Sequence, residues 1–230
     1  MRTLDLWLAT PDAARHFDVA RLDAHDAQRW TRLQRSRRRA EWQASRALRA
    51  AVAVPPDAAT SLTHSAGFAA LAVASPGIAL GVDLETLRPR DWLALAGFAF
   101  APEERLALQA LPEAGRPLHF YTLWTLKEAA AKALGLELLV ATRTCRFRCH
   151  DGLWSGTLPG AAHWRAWVYA PRGNLLLAAL AVATSATLPD DPPRQREWPT
   201  ASDAGAGWTA VAQARAQADA PADAPATRPV

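Results

Sequence analysis

The residues in this chain best suited to chemistry are three carboxylates, two lysines and a histidine, in three short stretches. The chain has 26 basic residues, and only Lys127 and Lys132 are lysines. They lie five apart in Trp124-Thr-Leu-Lys-Glu-Ala-Ala-Ala-Lys-Ala-Leu-Gly135, with Glu128 between them. A lysine is a compact point charge and an arginine a planar fork, so the bias marks a place where the fork does not serve. A second stretch, Gly81-Val-Asp-Leu-Glu85, carries Asp83 and Glu85 at i, i+2. On a strand they face the same side, about 6–7 Å apart. Two like charges held together call for a cation, and a hard divalent ion such as magnesium prefers oxygen ligands of this kind. The third stretch is Ser61-Leu-Thr-His-Ser65, with His64. Read singly, each has a plainer meaning: a helix-surface Glu–Lys pair, a polar strand end and a polar turn residue.

The elements that must position these residues follow from periodicity. Residues 120–135 read as a helix rich in Ala and Leu, with Pro117 at its start and Gly135 as a left-handed cap. Trp124, Glu128 and Lys132 recur every four residues and share one face. Lys127 is about 100° around from Glu128. Strands are expected at 3–9, 61–65, 68–74, 78–85, 143–149, 152–158, 163–169 and 174–184. Strands 68–74 and 78–85 read as a hairpin across Ser75-Pro76-Gly77. Helices are expected at 20–34, 36–53, 91–97 and from about 101. The order predicts an α+β protein of two similar halves, 1–86 and 87–188, with the site at their interface. Residues 189–230 hold seven of the 17 prolines and lose apolar periodicity, which predicts a disordered tail. Trp198 and Trp208 are its only docking signals.

With 230 residues, half of them apolar, and ten tryptophans, the chain can bury a large core. No run of 18 uncharged apolar residues occurs, and the N-terminus carries a charge within its short apolar run. A soluble, cytoplasmic, monomeric protein is expected, without membrane contact. Between Arg29 and Arg49, eight arginines face one acid, Glu41. Such a block suits phosphates or an acidic protein; a nucleic-acid patch is the rival, and it leaves Asp83, Glu85 and Glu128 unexplained. Cys145 and Cys149 alternate with Arg146 and Arg148 around Phe147, as core thiols of a half-buried strand do.

Taken together, the Ser61–Ser65 turn, the Gly81–Glu85 strand and the Trp124–Gly135 helix resemble the 4′-phosphopantetheinyl transferases of the two-lobed, surfactin-synthetase-activating (Sfp) type. The resemblance extends over residues 1–188, with its sharp motifs in 61–135. It implies a pseudo-twofold fold and transfer of the phosphopantetheine arm of coenzyme A to a serine of an acyl or peptidyl carrier protein, without nucleic acid. It also implies Mg2+ held by Asp83, Glu85 and Glu128, and lysines Lys127 and Lys132 near the diphosphate. Glu128, or a water relayed through it, would be the base. His64 and Thr63 would lie near the 3′-phosphate of coenzyme A, and Arg46 near coenzyme A on an arginine-rich helix. One departure stands out: only Ala50–Thr60 separates that helix from the Ser61–Ser65 turn, and the family's Gly-Lys-Pro-like segment is missing. Either an arginine such as Arg49 substitutes for it, or affinity for coenzyme A is reduced. A degenerate binder without turnover is the alternative reading.

Overall fold

The computed structural model describes residues 2–33, 36–184, 187–199 and 207–216. It is an α+β fold built on two sheets. The first has the order β2-β3-β1-β9, from β1 (Leu4–Ala9), β2 (Ala59–Ser65), β3 (Phe68–Ala74) and β9 (Arg194–Trp198). The second comprises β4 (Ile78–Thr86), β5 (Arg146–His150), β6 (Leu153–Thr157), β7 (Trp164–Ala170), β8 (Leu175–Ala183) and β10 (Thr209–Ala216). Its order is β4-β8-β7-β10-β6-β5.

Strand alternation turns these sheets face to face. Leu4, Leu6 and Leu8 of β1 and Ala70, Ala72 and Ala74 of β3 pack against Leu80, Val82 and Leu84 of β4 and Leu177 of β8. Helix α2 (Ser36–Ala51) covers the outer face of the first sheet, with Ala44 and Leu48 against Leu71 and Val73. Helix α1 (Ala24–Arg32) precedes it, capped by the Asp23 carboxylate, which accepts from Asp26 N. On the outer face of the second sheet lie α3 (Trp92–Ala99), α4 (Pro102–Ala110), α5 (Arg116–Leu134) and α6 (Leu138–Thr144). The result is four layers, helix–sheet–sheet–helix.

Helix α5 is central to the second half. It ends at Gly135, whose φ of +64° is the left-handed conformation that lets the helix stop. It is buried on nearly all sides, including Phe120, Leu123, Leu126 and the alanines 129, 130, 131 and 133. Those alanines let β4 approach very closely. At Gly81 of β4 an added Cβ would lie 1.8 Å from Ala129 O and 2.8 Å from Ala133 N. Glycine is therefore required where this strand crosses this helix.

Three expectations are corrected. β3 pairs with β1 and β2, whereas β4 pairs with β8, so 68–74 and 78–85 are not a hairpin. Instead β2 and β3 form the hairpin, through Ala66 (φ 51°) and Gly67 (φ 88°). Consequently β4, expected in the first half, hydrogen-bonds into the second sheet, and the change of sheet falls at 75–77 rather than after 86. The strand expected from 143 begins at Arg146, because Leu138–Thr144 folds as α6. The third correction concerns the tail. Arg194–Trp198 pairs in parallel with β1, and Thr209–Ala216 inserts between β7 and β6. Trp208 is buried against Tyr169 and its indole donates to Glu197. β9 is a short, mainly polar edge strand, and β10 alternates only alanine with Thr, Val, Gln and Arg, a weakly apolar pattern. Tertiary pairing, not propensity, makes them strands. Residues 200–206 and 217–230 of the expected tail lie outside the described residues. Among the described residues, no helix is long and apolar enough to cross a membrane.

Candidate active site

β2 and β4 are edge strands of different sheets, and they meet at a seam where Ser61 Oγ accepts from Val82 N. The β4 alternation sends Leu80, Val82 and Leu84 into the core between the sheets and Gly81, Asp83 and Glu85 toward α5. The contact at Gly81 brings Ala129, and with it Glu128, over the strand. Carboxylate oxygens of Asp83, Glu85 and Glu128 consequently lie within 4.8 Å of one another.

This acidic group is crowded. Burial and the neighbouring Asp83 push the Glu128 carboxyl up to about 8; Glu85 adds to this, while Lys132 opposes it. Burial and Asp83 also raise Glu85, against the pull of Arg90. Lys132 Nζ donates to Asp83 Oδ1 at 2.9 Å and to Val82 O at 2.8 Å. Thr63 Oγ1, from β2, donates to the same Asp83 oxygen at 3.3 Å. Among the described residues Asp83 Oδ2 is buried without a hydrogen-bond partner. An orphaned buried carboxylate oxygen, beside two acids whose charged forms are disfavoured, fits a hard divalent cation. A second acidic group, Asp23, His25 and Asp26, fits one less well. There Asp23 caps α1, and Asp26 is bound by Arg46, which holds its carboxyl below the usual range.

From the acids a polar cleft runs along the first sheet. One cavity of about 350 Å³ joins Lys132, Thr63 and His64 to Arg29, Arg46 and Arg49. A second, of about 610 Å³, shares Arg29, Trp42 and His64 and reaches Glu85 and Arg88. The cleft is thus lined by cations on its α1–α2 side and begins at the acidic group. That is a layout for an anionic ligand with charge at more than one point.

The structure brings together Asp83, Glu85, Glu128, Lys132, Thr63 and His64. Arg46 lines the smaller cavity, but its guanidinium is held by both Asp26 oxygens and stacks 4.6 Å from the Trp42 ring centre. Lys127 is not in the site, which corrects the expectation that it contacts a diphosphate. Its side chain is fully buried; Nζ pairs with Glu104 at 2.9 Å and donates to Thr142 O and Cys145 O. Glu104 in turn accepts from Ala101 N and Phe147 N. The 100° step from Glu128 carries Lys127 off the site's face of α5, to where it ties α4 and α6 to the start of β5. Sequence reasoning also missed the part played by Gly81, although a glycine inside a strand is the usual signal of close backbone approach.

Residues 79–180 match the model of the 4′-phosphopantetheinyl transferase superfamily. Over 76 residues the chain is 41% identical to the 4′-phosphopantetheinyl transferase HetI of Nostoc, a match covering 33% of this chain and 32% of that protein. It is 36% identical over 76 residues to the 4′-phosphopantetheinyl transferase AcpT of Salmonella typhi, covering 33% and 39% respectively. The matched segment spans about a third of the length of these curated relatives.

Proposed function

On the premise that the chain belongs, through residues 79–180, to the 4′-phosphopantetheinyl transferase superfamily, we propose that it transfers the 4′-phosphopantetheine arm of coenzyme A to a serine of an acyl or peptidyl carrier protein. The observation that carries this reading is the meeting of Asp83, Glu85 and Glu128 beside Lys132, at the head of a cation-lined cleft.

In this reading Asp83, Glu85 and Glu128 would hold Mg2+, and the chemistry it would supply is charge neutralisation at the diphosphate of coenzyme A. Thr63 keeps the Asp83 carboxylate oriented. Lys132, bound to Asp83 and partly exposed, would offer its ammonium to a phosphate oxygen. The carrier serine Oγ attacks the phosphorus attached to pantetheine, and the bond from that phosphorus to the bridging oxygen breaks. Adenosine 3′,5′-bisphosphate leaves with the electron pair. Glu128, or a water it holds, takes the serine proton. Such transfers depend mainly on positioning and charge neutralisation, which this site supplies from two rigid elements, a strand and a helix. His64, Arg29 and Arg49 line the part of the cleft assigned to the 3′-phosphate, with the two arginines standing in for the missing Gly-Lys-Pro-like turn. The exposed arginines of α1 and α2 would speed encounter with an acidic carrier.

Chromatography of a reaction holding coenzyme A, MgCl2 and an apo carrier tests the proposal. Carrier-dependent release of adenosine 3′,5′-bisphosphate is expected, and Glu128→Gln abolishes it in a folded protein. No release with fatty-acid, polyketide or peptide carriers would reduce the protein to a binder without turnover.

A further inference from the structure

His64 sits in the cleft with its two ring nitrogens in different surroundings. Nδ1 is buried and, among the described residues, makes no hydrogen bond, although the side chain as a whole is 32% exposed. The exposed part of the side chain is therefore not Nδ1, and His64 lines both cavities of the cleft. The acid facing Nδ1 is Glu41 of α2, with Oε2 at 3.9 Å and a side chain only 16% exposed. Glu41 is the one acid in the arginine-rich segment from 29 to 49, and it lines the same cavity as Arg29, Arg38 and His64.

We propose that Glu41 is a positioning residue for the His64 imidazole: it holds Nδ1 from behind, so that Nε2 is presented to a terminal phosphate monoester in the cleft. The proposal rests on the transferase reading, in which that monoester is the 3′-phosphate of coenzyme A. A small rotation shortens the 3.9 Å contact into a charge-assisted hydrogen bond, and the imidazolium is then bound at both nitrogens, by Glu41 and by phosphate. The surrounding charges agree with this role. Burial lowers the His64 pKa, Glu41 opposes that, and Arg46, Arg29 and Lys132 add to the lowering. Across the larger cavity stand Arg38, Glu85 and Arg88. Among so many cations, a histidine that is to meet a phosphate as a donor needs a fixed anion behind it.

Calorimetric titration of the full chain with coenzyme A and with 3′-dephospho-coenzyme A, both in MgCl2, tests this without requiring turnover. Glu41→Gln is expected to weaken coenzyme A binding about tenfold, the effect of one charge-assisted hydrogen bond. Binding of the dephospho compound should stay within about twofold. His64→Ala should behave alike, and the double variant should lose little more than either single one. Glu41→Asp, which keeps the charge, should retain most of the phosphate preference and serves if the glutamine variant folds poorly. Equal weakening of both ligands, or no change for either, would overturn the proposal. A Glu41-dependent phosphate preference without transfer to any carrier would uphold it while removing the transfer reading.

Discussion

Replacing Gly81 by alanine tests how the site is built. An added Cβ would lie 1.8 Å from Ala129 O, 2.8 Å from Ala129 C and 2.8 Å from Ala133 N. All three are backbone atoms of α5, so no side chain can swing aside. Carbon and oxygen atoms in contact need about 3.5 Å, so strand and helix must part by roughly 1.7 Å. α5 is packed on nearly all sides, and the strain of overfilling such a crossing is about 1–3 kcal/mol or more. Glu128, adjacent to Ala129, moves with the helix, while Asp83 and Glu85 stay with the strand. A misplacement of about 1 Å costs on the order of a hundredfold in rate when geometry carries the catalysis. Gly81→Ala should therefore lower the urea midpoint, weaken Mg2+-dependent thermal stabilisation and reduce turnover about a hundredfold. A variant with native stability and native turnover would show that the close crossing does not set the carboxylate geometry.

The two lysines should respond in opposite ways. Lys127→Met leaves the buried Glu104 without its cation and should cost about 3–5 kcal/mol in urea unfolding, whereas Lys132→Met should unfold nearly as the native protein and lose turnover; loss of activity without loss of stability at Lys127 would return it to the site. Glu128, raised from 4.5 to about 8, favours its protonated form in the fold. Its contribution to stability is therefore full below about pH 4.5 and is lost as pH rises through about 8 in metal-free protein. On the proposed reading Mg2+ would displace that proton, so the rise in melting temperature on adding MgCl2 should grow from pH 6 to pH 8 and become flat in Glu128→Gln. Trp208→Ala, which empties the packing against Tyr169, should cost about 3 kcal/mol in chemical denaturation; no loss would mean that the strand from Thr209 to Ala216 does not brace the second sheet.

Much of the site was legible because it is local. Asp83 and Glu85 share a strand face by the period of two, and Glu128 and Lys132 share a helix face by the spacing of four. The α+β class followed from the order of elements. Long-range relations were not legible. The direction in which Lys127 points depends on what packs behind α5, and Glu104 lies 23 residues earlier in the chain. The switch of β4 to the second sheet is decided by its pairing with β8, about a hundred residues later. The strands near the C-terminus carry composition typical of a tail, and only the edge of β1 and the gap between β7 and β6 make them strands. Arg46 shows the same limit: its helix position is readable, while its bond to Asp26 of α1 is not.

The central claim, that this site moves phosphopantetheine onto a carrier serine, is tested most directly by the intact mass of apo carrier proteins after incubation with the protein, coenzyme A and MgCl2. The account predicts a carrier heavier by about 340 Da, the mass of the transferred arm, with no gain when Glu128 is glutamine or when the divalent ion is chelated. An unchanged mass across fatty-acid, polyketide and peptide carriers, or a gain that survives Glu128→Gln, would contradict it.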